Sequence, residues 1–151
     1  MTAKEYLRQI ERLDIKIRQK EEQLECLRET AGGSAAIRYD KINVQMQPSK
    51  DMMEKNVLML MELEEKILTD KVRLNIIKDY IIDQIHGLED KRYIDILYKR
   101  YVKYERFEQI ALDMSYDYVY LRALHGEALG MFELKYENDL HNLTQSYKKV
   151  C

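Results

Sequence analysis

Six cations, Lys91, Arg92, Lys99, Arg100, Lys103 and Arg106, cluster in one short stretch of the chain. Lysine and arginine bond phosphate oxygens, and arginine does so with a planar fork of donors. Tyrosines 93, 98, 101, 104, 116, 118 and 120 interleave with them. Such rings can stack on bases or bond phosphates, although more often they fill the rim of a small core. Other chemistry is thinly represented. His86, His125 and His141 lack HExxH or Cys/His spacing, so a metal site is not expected. The acid pairs Glu21-Glu22 and Glu64-Glu65 lie among lysines and read as solvated helix faces. There is no Ser/His/Asp or Cys/His grouping with a catalytic context, and no glycine-rich phosphate loop. The expectation is a binding protein that is not an enzyme and carries no cofactor.

The elements that must position these side chains lie between Leu88 and Phe132. Tyr93, Ile94, Leu97, Tyr98 and Tyr101 mark one helix; Phe107, Ile110, Ala111 and Met114 a short second one. Leu121, Leu124, His125, Ala128, Leu129 and Phe132 mark a third. Spacings of three and four put each set on one face. A break at Ser115 and a candidate N-cap at Asp117 separate the second helix from the third. Short helix, tight turn and longer helix make a helix-turn-helix, whose second helix can enter a DNA major groove. His125 falls where this helix turns inward and reads as a packed core residue.

The rest of the chain is also helical in pattern. Residues 2–30 carry a heptad seam of Tyr6, Ile10, Leu13, Ile17, Lys20, Leu24 and Leu27, with Thr2 and Glu5 as a capping box. Gly32, Gly33 and Ser34 end it, and 31–48 read as a mobile loop with a possible extended piece at Ile42, Val44 and Met46. A second long helix is expected over 49–86, capped by Ser49 and closed by Gly87. Its seam is Leu60, Leu63, Ile67, Asp70, Leu74, Ile77, Ile81, Gln84 and Leu88, broadened by Met53, Val57, Ile76, Ile82 and Ile85. The expected fold is all-α: an antiparallel helical hairpin over 1–86, a helix-turn-helix domain over 87–133 and a helical extension over 134–151. Tyr136, Leu140, Leu143, Tyr147 and Val150 continue the stripe of Leu129 and Phe132, so the third helix is expected to run on, and a homodimer through this extension is favoured.

Leu88, Leu97, Arg100, Tyr101, Phe107, Glu108, Ile110, Ala111, Leu124, His125, Ala128 and Leu129 resemble region 4 of bacterial sigma factors. The chain to about residue 133 also resembles small phage proteins of Gram-positive bacteria, the late-gene transcriptional regulators of the ArpU and RinA kind. The likeness rests on the opening MTAKEYLRQIERLDIKI, a variable loop, the segment SKDMMEKNVLMLMELEEKI and the final helix-turn-helix. It implies binding to double-stranded DNA, or to RNA polymerase at a promoter, without catalysis. Tyr118, Val119, Arg122 and Ala123 would then form the groove face, and Lys99, Arg100, Lys103 and Arg106 the phosphate contacts. Several positions depart from the sigma-like pattern, among them Tyr118, Val119 and Tyr120, which stand where basic or polar residues are expected. Tyr104 and Ser115 stand where glycine is usual, and Arg106 where serine or threonine is usual.

Charge limits the DNA reading. The chain has 151 residues, 25 basic and 27 acidic, with net charge −2. Residues 89–136 hold eight basic side chains (91, 92, 99, 100, 103, 106, 122, 135) and nine acidic ones (89, 90, 95, 105, 108, 113, 117, 127, 133). Any phosphate surface must therefore come from local segregation of charge. The alternative function is a protein-interaction adapter that works through the hairpin and has lost DNA binding. With no run of eighteen apolar residues, no membrane partner is expected, and two distant cysteines suit a cytoplasmic location.

Overall fold

The computed structural model describes residues 1–30 and 50–146. The expected loop at 31–48, the Ser49 cap, Tyr147 and Val150 lie outside the described residues. Among those described, every regular element is helical, so the chain is all-α. The helices are α1 (Ala3–Leu7), α2 (Gln9–Arg28), α3 (Lys50–His86), α4 (Lys91–Leu97), α5 (Phe107–Met114), α6 (Tyr118–Lys135) and α7 (Leu143–Ser146). A π-helical turn, Tyr98–Val102, extends α4, and a 3-10 turn, Glu137–Asp139, follows α6. No described helix is long and apolar enough to cross a membrane.

The chain divides into two compact units. One takes residues 1–14 together with 73–151, and the other takes 15–72. In the first, α1 begins at the capping box read from the sequence. The Glu5 N–H donates to Thr2 Oγ1 at 3.3 Å, and the Thr2 N–H donates to the Glu5 carboxylate at 2.9 Å. The single helix expected over 2–30 is interrupted at Arg8, where ψ flattens to −8°. This interruption accompanies an inward turn of Gln9. Its amide donates to the His141 carbonyl at 3.0 Å and accepts from the Leu143 N–H at 2.7 Å. Neither contact is visible as a helical period, because each spans more than 130 residues of sequence.

Tyr6, Leu7, Ile10, Ile77, Ile81, Ile85, Ile96, Leu97, Ile110, Leu121 and Phe132 form the fully buried core of this unit. Ile96 and Val102 are buried although the α-helical spacing did not select them. The π turn explains Val102: one extra residue per turn places it below Leu97. The Tyr6 hydroxyl donates to the Gln84 side chain at 2.8 Å, and its ring lies 6.0 Å from that of Phe132.

α6 stops at Lys135 instead of running on through the extension. Tyr136 leaves helical geometry, packs its ring at a tilt 4.9 Å from that of Phe132 and donates its hydroxyl to the Gln84 carbonyl at 2.7 Å. Asn142 then accepts from the Thr144 N–H at 3.1 Å, starting α7, and Leu143 is buried at 2% exposure. Leu143 therefore serves the core of its own unit.

Gly87 follows α3 as expected, but its φ is not positive. Its role is clearance: a Cβ there would stand 2.3 Å from the Tyr136 hydroxyl. Gly87→Ala is expected to cost about 1–2 kcal/mol, mostly the displaced Tyr136–Gln84 hydrogen bond. In a double-mutant cycle by chemical denaturation, Gly87→Ala and Tyr136→Phe should be less than additive. Full additivity would show that the two do not share this contact.

In the unit of residues 15–72, Ile17, Leu24 and Ile67 are buried. The two polar interruptions of the heptad seams meet each other: Lys20 Nζ lies 2.5 Å from the Asp70 carboxylate. Arg28 pairs with Glu64 at 2.5 Å, and Lys71 pairs with Glu21. Met53, Val57 and, in the first unit, Ile76 do not broaden a buried seam; they are 54%, 52% and 45% exposed.

Candidate nucleic-acid interface

Asp90 caps α4 by accepting from the Arg92 N–H at 2.9 Å. The same carboxylate takes the Arg92 guanidinium at 2.8 Å, and Arg92 also donates to the Tyr120 hydroxyl at 2.9 Å. This joins the start of α4 to the first turn of α6. Asp90 holds the Arg92 guanidinium above its ordinary pKa by direct hydrogen bonding, so the cation is already partnered.

The chain next passes from the π turn to α5 through Tyr104, whose φ is +59°. Left-handed geometry costs a non-glycine residue about 1–2 kcal/mol. Arg100 spans this turn, donating Nη1 to the Glu105 carbonyl at 2.9 Å. Arg106 occupies the N-cap position of α5 without a side-chain cap bond. At the far end Ser115 is also left-handed, with φ 57° and ψ 40°, and its N–H reaches the α5 carbonyls. Asp117 takes the N-cap position of α6 as read from the sequence, but its side chain makes no cap bond.

Phe107 organises the cations here. The Arg100 guanidinium lies 4.1 Å from its ring centre and that of Arg122 lies 4.5 Å away. The His125 ring meets Phe107 edge-on at 4.8 Å. His125 is 7% exposed, and its Nε2 is 2.9 Å from the Tyr101 hydroxyl. Burial, and then the charges of Arg100, Arg122, Lys4 and Arg8, lower its pKa from 6.5 to about 4. Lys4 in α1 and Arg8 at its C-cap thus act on the same spot. Sequence reading missed them, and no local signal could have found them.

The eight predicted site residues separate into groups. Tyr118 and Val119 are 42% and 73% exposed, and Arg122 and Ala123 are exposed beside them on α6. Lys103 and Arg106 are exposed at the turn between α4 and α5. Lys99 faces Asp113 at 3.8 Å, and Arg100 is committed to the turn and to Phe107. Lys103, Arg106 and Arg122 are therefore the predicted cations best placed to leave the surface for a ligand. Comparison with family models, curated proteins and solved structures returns no match.

The buried histidine gives a pH dependence with a definite sign. The unfolded chain binds a proton near pH 6.5 that the folded ring refuses until about pH 4. The stability contributed by neutral His125 is complete above about pH 6.5 and falls as pH drops towards 4. After allowance for partial solvent screening, the loss should be about 2 kcal/mol. Denaturation curves at pH 7 and pH 4 should show wild type losing more than His125→Gln. Equal losses would place the proton uptake elsewhere.

Proposed function

We propose that this chain is a non-enzymatic transcriptional regulator of the phage or prophage kind. In this reading α5 and α6 form a sigma-region-4-like helix-turn-helix that binds double-stranded promoter DNA, alone or beside RNA polymerase. α2 and the first part of α3 form an antiparallel helical hairpin. The observation that carries the reading is the pair of left-handed residues bracketing α5, Tyr104 and Ser115. They stand near the two positions where the sigma-like pattern usually has glycine, and left-handed backbone there supports the likeness. The ion pairs 20–70 and 28–64 support the hairpin, since the second number falls as the first rises.

Arg122 is the groove-face cation. It must leave Phe107 to reach a base, at a cost of about 0.5–1 kcal/mol. A bidentate bond to guanine is worth about 1–3 kcal/mol, so the exchange is favourable. Titration of labelled duplex at two salt concentrations tests the reading. Arg122→Ala should lose about 1–3 kcal/mol at a specific site and relax one base preference. Lys103→Ala and Arg106→Ala should weaken all sequences and flatten the salt dependence by about one unit of slope per contact. Absence of binding at low salt, with and without RNA polymerase, overturns the regulator reading. The adapter reading has its own support in the exposed Met52, Val57, Leu58, Met61 and Leu68 of α3. It predicts no DNA affinity and no difference among the three variants.

A further inference from the structure

α6 carries an apolar face that the described residues leave open. Val119 and Leu134 are each 73% exposed, and Ala123, Gly126 and Gly130 between them are exposed too. Steps of four, three, four and four keep all five within about 80° of the helix circumference. A Cβ on Gly126 or Gly130 would meet nothing within 4 Å. Alanine would fit at both and would favour the helix by about 0.5–1 kcal/mol each. No packing among the described residues accounts for the glycines, whereas close approach of another helix backbone would.

The order of these residues identifies a partner. About a point between 126 and 127, Val119 mirrors Leu134 and Ala123 mirrors Gly130. Laid antiparallel on itself, the face therefore puts bulky ends against bulky ends and small centre against small centre. That self-complementarity is what a two-fold interface requires. Charge agrees with it. Arg122 and Glu133 lie on the same flank of the stripe, about 60° and 40° from Val119. In a two-fold antiparallel pair this flank faces itself, so each Arg122 meets Glu133 of the second copy. Glu127 lies on the other flank and accepts from the Tyr93 hydroxyl of its own chain at 3.2 Å.

We infer that a second copy of this chain docks here, α6 against α6, as a weak two-fold dimer. From Val119 to Leu134 the contact is about 22 Å long. One helix pair of that length covers less than the roughly 1,200 Å² of a stable specific interface, so assembly is concentration-dependent. The face also holds Val119, Arg122 and Ala123 of the proposed groove surface. The dimer stands without that reading; its exclusion of DNA rests on it.

Sedimentation velocity of the full chain in low salt, from about 5 to 500 μM, tests the dimer. A monomer–dimer equilibrium is expected. Gly130→Lys has room for its side chain in the monomer and should weaken the dimer about tenfold or more, with helix content by circular dichroism unchanged. Arg122→Glu should also weaken it, and adding Glu133→Arg should restore it. Glu133 also accepts from the Ala3 N–H at 3.2 Å, so thermal melts must accompany that double variant. A monomer throughout the range, or a dimer indifferent to Gly130→Lys, overturns the proposal. Duplex DNA added to wild type should dissociate the dimer as it binds. If no DNA binds, the regulator reading fails while the Gly130→Lys result still decides the dimer.

Discussion

Phe132→Ala should cost about 3–5 kcal/mol, the range for deleting a fully buried aromatic side chain. Phe132 has 0% exposure and lies between Tyr6 of α1 and Tyr136 of the turn after α6. Those two tyrosines reach the Gln84 side chain and carbonyl respectively. One ring therefore supports the contacts that bring residues 1–14, the end of α3 and the C-terminal turn into one unit. Removing it leaves a cavity beside two hydroxyls whose hydrogen bonds depend on ring placement. Chemical denaturation should show the midpoint falling with little change in slope. Phe132→Leu should recover part of the loss. A cost below about 1 kcal/mol for Phe132→Ala would mean that the site collapses freely, and that the ring does not hold these segments together.

Much of this core could be read from periodicity. Tyr6, Ile10, Leu13, Ile17 and Leu24 were chosen by heptad spacing and all are buried. So are Ile67, Leu74, Ile77, Ile81 and the interrupting polar residues Asp70 and Gln84. Periodicity reports which residues share a face. It does not report how far along that face a covering surface extends, and Met53 and Val57 share the seam's face yet are exposed. It also assumes unbroken α-helix, so the flattening at Arg8 and the π turn at Tyr98–Val102 shifted the phase unseen. The stripe from Phe132 to Leu143 had the right residues and the wrong backbone. Tyr136 and Leu143 are packed, but only after the helix has ended.

The candidate site was less accessible to sequence reading. Clustering along the chain identified Lys99, Arg100, Lys103 and Arg106 as equals. Space separates them: Arg100 closes a left-handed turn, Lys99 faces Asp113, and Lys103 and Arg106 remain outward. Spacing places Phe107 on the apolar face of the short helix, whereas its ring is half-buried and lies under two guanidiniums. The left-handed turns were hidden because tyrosine and serine occupy positions where glycine would have announced them.

The largest expected effect in the unit of residues 15–72 comes from comparing two acids on one face of α3, one introduced and one native. In the proposed hairpin, pair numbers sum to about 91, so Ile67 sits beside Leu24, both buried. Ile67→Asp places a carboxylate against that leucine, and should cost about 4 kcal/mol or more. Asp70, one turn further along, is tolerated because Lys20 meets it at 2.5 Å. Lys20→Leu should then cost about 1–3 kcal/mol, the low side for a broken ion pair because Lys20 is 38% exposed. The double variant Lys20→Leu/Asp70→Leu joins the apolar seams on both helices. It should recover the loss and can exceed wild type by about 1 kcal/mol. What the native pair supplies is register. An uninterrupted leucine seam allows α2 to slide along α3 by a turn, and a buried charge held by Lys20 does not. Heteronuclear relaxation on the double variant should show exchange broadening along residues 15–28 and 60–72 that wild type lacks. A double variant as sharp as wild type and equally stable would show that the pair contributes neither specificity nor net stability.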